Sequence, residues 1–420
     1  MRLFVISVIT LACFCVQQAT FAQGVLLRSV GAVNASVGGT ATAMPLDAAG
    51  ALMWNPGSIS ALKKNEMTFG LELVEGKSRV ESTLGGLSGS TKGEGGVVPV
   101  PSMALVWNKS MRSPFTFGLG MGAVGGAASL YPHKPTNPVL SQHGRSATVI
   151  VLQVTPTVSA QVTERLSIGV APIVDLASLN INPMSLGREN NPHTGADGAL
   201  STYGTRYVWG AGFQIGALYD FQNNFKAGFT FKSPIWAEKL YFTGTDGQSG
   251  APASQTFDLN LPMTLSAGIS YDGFRNTVIG MDVRYLDYAN TAGLKNGVNP
   301  TTFKVEGLDW ESVYSISIGA ERRINKKIRV RMGYCWNENP IPSRSAALAI
   351  SAPMITQHVL SCGFSYEIAK GLEMSAAYCH SFNEKLTGPF YAKVGGDVVE
   401  GSVTNSLSAN ALFASISKKW

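Results

Sequence analysis

The residue types that could carry out catalysis are scattered through this 420-residue sequence. No histidine has an HxxxH or HExxH partner, and no GxSxG motif marks a nucleophilic serine. The acidic residues form no pair whose spacing suggests general acid–base catalysis. We therefore predict no catalytic residue, no enzymatic activity, no metal and no cofactor, and a Ser/His lipase site assembled by the fold stays open as the alternative. The histidines are His133, His143, His193, His358 and His380.

A glycine-rich motif from Gly120 to Gly125 matches the GxGxxG pattern of dinucleotide-binding sites. Such a site requires a helix that starts at the motif and an acidic residue about twenty positions later. The residues that follow, from Gly126 to Pro132, are poor helix formers. The alternative is a strand weakened by glycine, which permits a bulge or an inward bend. We favour this second interpretation for Gly120, Gly122, Gly125 and Gly126.

Several charged residues alternate with apolar residues in the later part of the chain. One interpretation is a polar interior in which these charges pair with one another. The other is that an arginine or lysine beside an apolar pocket binds a substrate carboxylate through charge-assisted hydrogen bonds, with Arg284, Arg329 and Arg331 as the substrate-binding candidates. The net charge of +6 is spread out without a basic block, which predicts no nucleic-acid partner. The charged residues concerned are Lys226, Lys232, Asp282, Arg284, Glu321, Arg329 and Arg331.

Short runs in which apolar and polar residues alternate make up most of the chain after residue 65. A period of two places successive residues on opposite faces of a β-strand. Only 14% of the residues are charged, yet no segment after the N-terminus reaches about eighteen consecutive apolar residues. Membrane-spanning strands reconcile these facts, because only every second residue has to be apolar. The predicted strands cover 66–75, 101–109, 114–124, 147–161, 165–178, 203–220, 224–235, 256–272, 276–288, 311–322, 327–337, 356–366, 372–382 and 405–420.

A soluble β-sandwich and a transmembrane β-barrel both explain this alternation. Three features favour the barrel: strands long enough for a tilted membrane crossing, aromatic residues at strand ends, and a final strand, Leu412 to Trp420, that ends on an aromatic residue. The sequence therefore predicts an all-β fold, a transmembrane antiparallel β-barrel of about 14 strands over residues 65–420, with both ends in the periplasm. Extracellular loops are predicted at 125–146, 179–202, 236–255, 289–310, 338–355 and 383–404.

The first 22 residues have the features of a secretory signal peptide. Arg2 is followed by a mostly apolar stretch and by small residues at Thr20-Phe21-Ala22, which predicts cleavage before Gln23. A lipoprotein signal is disfavoured, because the residues before the two early cysteines do not fit its consensus. Three cysteines remain in the mature chain, and an odd number without a close pair argues against a disulfide framework. They are Cys335, Cys362 and Cys379.

Residues 23–64 follow neither a helix period nor a strand period. Residues 35–43 are small, Asp47 follows them, and the segment ends in a turn at Asn55-Pro56. A compact segment rich in glycine and alanine ahead of many amphipathic strands predicts a plug inside the barrel. These residues resemble the N-terminal hatch of the FadL-type outer-membrane transporters of hydrophobic compounds.

The resemblance to this family extends along most of the chain. Leu261 to Tyr271 is similar to a family strand that starts with Leu-Pro and continues to a Gly and a Tyr. Arg331 to Tyr334, followed by Asn339 to Pro342, is similar to a late strand and its loop. One position departs from the family pattern: after Asn55-Pro56 this chain has Gly57, where the family usually has the alanine of an Asn-Pro-Ala sequence. The family's barrel also has fourteen strands.

The resemblance implies passive, ligand-gated uptake of long-chain fatty acids or similar hydrophobic compounds. The substrate would pass from an extracellular groove to an inner pocket and leave sideways through the barrel wall after the hatch N-terminus shifts. Gln23 and the residues up to Val37 would form the gate, and Asn55 and Pro56 would fix the turn that joins hatch and barrel. An inward kink of the third strand would place a lateral opening at Gly120, Gly122, Gly125 and Gly126.

The resemblance also implies a location in the outer membrane among its lipids, a monomeric state, and recognition of Trp420 by the barrel assembly machinery. Two alternatives stay open. The same fold could take up aromatic hydrocarbons, or a non-transporting barrel could act as a scaffold or secretion-system accessory. An apolar groove lined by the loops 125–146 and 179–202 would favour transport. A blocked lumen without a pocket would favour the scaffold.

Overall fold

A computed structural model describes residues 24–108, 113–191, 196–197 and 199–420. Fourteen antiparallel strands form a closed barrel, in which each strand pairs with its neighbours in sequence and the last pairs with the first. The strands are β1 Glu66–Leu84, β2 Val97–Asn108, β3 Phe115–Tyr131, β4 Arg145–Gln161, β5 Leu166–Asn182, β6 Val208–Asp220, β7 Phe225–Lys232, β8 Thr264–Phe274, β9 Thr277–Leu286, β10 Val313–Arg323, β11 Ile328–Asn337, β12 His358–Ala369, β13 Leu372–Val394 and β14 Asp397–Lys419. The predicted 14-stranded barrel is confirmed.

The two faces of each strand differ as the alternation predicts. On β1, Phe69 and Leu71 point outward and are 47% and 46% exposed, whereas the inward-pointing Thr68 and Glu72 are buried. An apolar outer face and a polar inner face are what a strand between lipid and a polar interior requires. The outer face therefore forms the apolar band of a membrane barrel.

Four of the predicted loops contain strand, namely 125–146, 179–202, 236–255 and 383–404. The predicted loop 383–404 is wrong, because β13 and β14 continue as a paired hairpin from Glu384↔Leu407 to Val394↔Asp397. Gly395 and Gly396 close this hairpin with φ values of +62° and +102°. Positive φ at both central residues is the pattern of a type I′ turn, and glycine adopts it with the least strain. The predicted loop 125–146 is also partly wrong, since β3 continues to Tyr131.

The loops carry further short elements. The strand Leu87–Lys92 pairs with the end of β1, and Trp236–Ala237 pairs with β6. Three strands form a separate sheet, Leu200–Thr205, Leu240–Asp246 and Pro252–Phe257, and Asn190–Asn191 pairs with Ala196–Asp197. The short 3₁₀ helices of the loops are Pro138–Leu140, Tyr288–Asn290, Ser343–Ser345 and Leu348–Ser351.

The chain before β1 lies inside the ring of strands. It contains helix α1 (Gly31–Ser36), helix α2 (Ala48–Trp54) and a 3₁₀ helix (Pro56–Ala61), and both α-helices are buried throughout. Helix α1 contacts β1 and β11–β14, α2 contacts β1–β4, and the 3₁₀ helix contacts β3–β6. We call residues 24–64 the plug. No helix among the described residues is long and apolar enough to span a membrane.

Glycines on the inner face let the plug backbone approach the wall closely. A Cβ atom at Gly228 would lie 2.0 Å from the carbonyl oxygen of Thr42, and one at Gly333 would lie 2.1 Å from the carbonyl carbon of Val37. A larger side chain at either position would force the plug away from the barrel.

The signal peptide predicted for residues 1–22 lies outside the described residues.

Candidate functional site

The barrel wall opens between β2 and β3. The two strands pair from Asn108↔Thr116 to Ser102↔Gly122, and beyond that point residues 97–101 of β2 pair only with β1. Strand β3 instead continues along β4. The gap closes again where the Glu94 backbone N–H donates to the Leu130 carbonyl oxygen at 2.7 Å. We call the gap between residues 96–101 and 123–129 the wall opening.

The glycines that were expected to mark a lateral opening divide into two groups. Gly122 forms the last pair with β2, and a bulge between Ala123 and Gly125 starts the unpaired stretch that includes Gly126. Gly120 lies in the closed part of the wall and faces the plug, because a Cβ atom there would lie 3.4 Å from Leu52. Three of the four candidates thus border the wall opening.

A second sequence signal for the opening, separate from the glycines of β3, is present on β2. Pro99 and Pro101 both lie in the stretch of β2 that has no partner on the β3 side. Proline has no N–H to donate, so within sheets it is found at edges that do not pair. The Val-Pro-Val-Pro sequence therefore indicates an unpaired edge.

The start of the plug occupies the free edge of β3. The Leu27 N–H donates to the Val124 carbonyl oxygen at 2.8 Å, and Leu26 forms an antiparallel bridge with Gly125. Gly24, with a φ of +73°, packs against the ring of Tyr288. We call residues 24–29 the gate segment. Gln23, the first residue of the predicted gate, lies outside the described residues.

Two apolar cavities lie on either side of the gate segment. The main cavity, of about 260 Å³, lies behind the wall opening and is lined by the gate segment, the opening and the inner faces of β1, β12 and β14. A smaller cavity of about 90 Å³ lies among the loops, where Leu179, Leu308 and Trp310 are among its lining residues. Val25 and Met354 line both cavities. The gate segment therefore separates an outer from an inner apolar space.

Arg28 and Glu72 are the two charged residues among those that line the main cavity. The Arg28 guanidinium donates to the Thr356 hydroxyl at 2.6 Å and to its carbonyl oxygen at 3.1 Å. Burial lowers the pKa of Arg28, and the neighbouring acidic groups, Cys335, Cys379 and Glu72, oppose that shift. Glu72 points inward from β1 and is 9% exposed. Neither residue was a candidate from sequence, because their proximity depends on the plug docking against β1.

Arg284, a predicted substrate-binding residue, holds the plug in place. Its guanidinium donates to the Gly39 carbonyl oxygen at 2.6 Å and to Asp282 at 2.9 Å, and it stacks on the Trp54 ring at 3.6 Å. Asp282 in turn accepts the backbone N–H groups of Ala41 and Thr42 at 2.8 and 3.0 Å. This cluster joins the wall to the plug backbone.

The other two predicted arginines are paired with carboxylates. Arg329 bonds to Glu373 at 2.5 Å, and Arg331 bonds to Glu321 at 2.6 Å. None of the three predicted arginines lines either apolar cavity. The structure therefore matches the interpretation in which interior charges pair with one another, and a direct role for these arginines in substrate binding stays a prediction.

Asn55 and Pro56 join the plug to the wall. The Asn55 amide donates to the carbonyl oxygens of Thr42 and Ala217, at 2.6 and 2.9 Å, and Pro56 starts the 3₁₀ helix. These contacts fix the turn, and a gating role stays a prediction.

The described residues contain no group of three potential metal ligands, and Cys335, Cys362 and Cys379 are free thiols.

The geometry can be compared with known proteins. The sequence model of the family described as "Outer membrane protein transport protein (OMPP1/FadL/TodX)" matches residues 13–414. The chain belongs to this family. A long-chain fatty acid transport protein of Salmonella typhi is 23% identical over 206 residues, which are 43% of this chain and 46% of that protein. The chain thus spans about half the length of this curated relative.

Solved structures of family members share the fold. The toluene transporter TodX of P. putida superimposes with a TM-score of 0.68 and 17% identity, covering 94% of this chain and 99% of TodX. A FadL homologue of Pseudomonas aeruginosa gives a TM-score of 0.71 and 15% identity, covering 93% and 99%. These likenesses show that the FadL/TodX barrel is the fold of this outer-membrane protein.

Proposed function

We propose that this protein carries hydrophobic compounds passively across the outer membrane and releases them sideways through the wall opening. One observation carries the proposal: the free edge of β3 at the opening is paired by the gate segment, with an apolar cavity directly behind it. A scaffold would need neither an opening in the wall nor a cavity behind it. The cavities therefore favour transport over the scaffold alternative.

The proposed route of the substrate runs from the smaller cavity among the loops to the main cavity and then through the wall opening to the membrane. Val25 lies between the two cavities, so a shift of the gate segment joins them. The same shift breaks the Leu27–Val124 hydrogen bond and uncovers the β3 edge. Ligand binding drives the shift when the ligand takes the place of the gate segment against the apolar walls.

A sideways exit suits a hydrophobic substrate on energetic grounds. Each methylene that enters water costs about 0.8 kcal/mol, so a long chain gains little from a water-filled pore. Passage from an apolar cavity directly into lipid keeps that surface dry. The names of the relatives refer to long-chain fatty acids and to toluene. Both are hydrophobic, and we propose this broad class for the present protein.

The remaining parts of the proposal concern export and assembly. Residues 1–22 direct export as a signal peptide, and 23–64 and 65–420 form the hatch and the barrel. Trp420 is 55% exposed at the end of the last strand, and its backbone N–H donates to the Asn65 carbonyl oxygen. An exposed terminal aromatic is accessible to the assembly machinery. Among the described residues the barrel strands close on one another except at the wall opening, where the gate segment pairs with β3 and Pro99 and Pro101 lie on the β2 edge, in keeping with a monomer surrounded by outer-membrane lipid.

Filling the wall opening tests the proposal. A Cβ atom at Gly126 would meet only the Val149 carbonyl oxygen, at 3.5 Å, so Gly126→Ala fits and Gly126→Phe extends into the opening. We expect Gly126→Phe to reduce uptake of labelled fatty acid or toluene by cells about tenfold or more while the barrel still folds, because Gly126 lines both the main cavity and the opening and a phenyl ring there obstructs the passage between them. Gly126→Ala is the matched control with normal uptake. Normal uptake by a folded Gly126→Phe barrel would contradict a sideways exit.

A further inference from the structure

On one side of the barrel the wall extends beyond the apolar band as a four-stranded sheet. It consists of the ends of β13 and β1, the start of β14, and the short strand Leu87–Lys92. Its inner face is covered, because Val80, Leu386 and Val403 are buried in one apolar cluster with Leu140 of a loop helix. Its outer face carries polar side chains. We call this second face the outer sheet face.

Three basic residues lie in one row across the outer sheet face. Lys385 on β13 lies opposite Ser406 on β14, which in turn lies opposite Arg79 on β1. Arg79 lies opposite Lys92 on the short strand. Directly opposite residues of an antiparallel pair share a face, and all three basic side chains are exposed. Since neighbouring strands lie about 4.8 Å apart, the row spans about 14 Å. We call Arg79, Lys92 and Lys385 the basic row.

The negative charges of the protein balance the basic row only in part. Arg79 lies 3.9 Å from Glu81 and donates to the Ser90 hydroxyl at 3.2 Å. Neither Lys92 nor Lys385 forms an ion pair within the part of the chain that the structure describes. Like charges directly opposite one another destabilise a sheet, as at Arg79 and Lys92. An anion bound from outside would offset this repulsion.

The basic row lies well above the apolar band. On β1 the last outward-pointing apolar residue is Leu73, which is 41% exposed, and Arg79 follows six residues later. Six residues of a strand tilted by about 40° rise by about 15 Å. Phospholipid headgroups extend only about 5–8 Å beyond the hydrocarbon, so the row lies at the height of a larger headgroup. The long loops at this end of the barrel are typical of the extracellular side.

We propose that the basic row binds the phosphate groups of a phosphorylated glycolipid of the lipopolysaccharide type in the outer leaflet beside the barrel. The planar guanidinium of Arg79 matches phosphate oxygens, and the two lysines supply point charges on either side of it. Ser406, 6% exposed, forms the floor between Arg79 and Lys385. The acyl chains of the same molecule pack on the apolar band below, where Leu73 lies opposite Leu412. This site goes beyond the transport proposal and does not depend on it.

Neutralising the basic row tests the site. The probe is rough lipopolysaccharide with phosphorylated core sugars, and native mass spectrometry of the detergent-folded barrel measures its binding. We expect the triple variant Arg79→Gln/Lys92→Gln/Lys385→Gln to bind this probe about tenfold or more weakly than the wild type, because each basic group near a lipid surface strengthens binding severalfold. All three side chains are exposed, so the variant should fold normally.

The matched control is Arg322→Gln/Lys326→Gln/Lys327→Gln, which removes three exposed charges around the β10–β11 turn at the opposite end of the barrel. It should bind the probe as the wild type does. Equal loss in both triple variants would show an effect of net charge alone and would overturn the site.

Two further probes distinguish the source of the phosphate: the same lipopolysaccharide after dephosphorylation, and phosphatidylglycerol. We expect the wild-type barrel to prefer the phosphorylated lipopolysaccharide to both. Equally tight binding of either further probe, or no binding of the phosphorylated form, would overturn the proposal. Because uptake is not measured, each of these results leaves the transport proposal standing.

Discussion

Asp282 is the residue through which the barrel wall holds the plug. One carboxylate oxygen accepts the N–H groups of Ala41 and Thr42 and the Thr42 hydroxyl, and it pairs with Arg284, all within 3.0 Å. Both members of the ion pair are 1% exposed. Removal of one partner of a buried pair leaves the other charge uncompensated.

Asp282→Ala should therefore loosen the plug. We expect the free energy of unfolding to fall by about 3–5 kcal/mol, because Arg284 is left as an unpaired buried charge. Denaturant unfolding of the purified barrel measures the loss, and limited proteolysis shows whether the plug is released. Asp272→Ala is the control: Asp272 pairs with Lys226 at 2.9 Å on the surface, so its loss should cost only about 0–1 kcal/mol. Equal effects of the two substitutions would contradict the role of Asp282.

At this scale the sequence predicts which residues point inward but not what each one contacts. The alternation places Arg284, Arg329 and Arg331 on the inner face, and the structure confirms that position. Their partners depend on neighbouring strands and on the plug, which no local pattern encodes. Arg28 was not a candidate for the same reason, since its bond to Thr356 spans 328 residues of sequence.

At the scale of elements, helix α2 is docked through a buried acidic cap. Asp47 accepts the Gly50 N–H at 3.1 Å, which satisfies one of the free N–H groups at the helix start. Burial, and to a smaller extent the nearby Glu66, raises the pKa of Asp47 to about 7, opposed by Gly50, Lys419 and Arg331. The folded plug thus holds this proton up to a higher pH than the unfolded chain does.

The docking of α2 should weaken as the pH rises from 5 to 8. Because the folded pKa lies above the unfolded value, the contribution of Asp47 is fully present below about pH 4 and is lost as the pH passes about 7. One proton changes the docking equilibrium by at most about tenfold per pH unit. Protease sensitivity of the plug, measured across this range, reports the change. Asp47→Asn keeps the cap and should remove most of the dependence; an unchanged profile would contradict this assignment.

The elements themselves could be predicted well, and their ends less well. Each of the fourteen predicted runs overlaps one barrel strand, because each strand carries its own alternation of apolar and polar residues, but the runs 203–220 and 256–272 begin in the separate loop sheet. The sequence predicts a loop beyond residue 383 where the structure has a hairpin, because outside the membrane both faces of a strand are solvated and the alternation of apolar and polar residues fades. The position of the wall opening can be predicted in part from the glycines of β3, and the prolines of β2 mark the same gap.

At the level of the whole molecule, we propose that the gate segment must leave the β3 edge before a substrate can pass. The gate and the cavities could not be derived from local patterns, because they arise where the first described residues fold back onto a distant strand. Only the resemblance to the family predicts a gate at this end of the chain. The structure adds the specific contact, Leu26 opposite Gly125.

A reversible cross-link across this contact tests whether passage of a substrate requires the gate segment to move. In a background with Cys335, Cys362 and Cys379 replaced, Leu26→Cys and Gly125→Cys place two thiols at directly opposite positions of an antiparallel pair, where a disulfide can form. Uptake of the same labelled compound is measured before and after reduction, with each single-cysteine variant as the control. We predict that the oxidised barrel takes up almost nothing and that reduction restores uptake. Equal uptake by the oxidised and reduced barrel would contradict a route controlled by the gate segment.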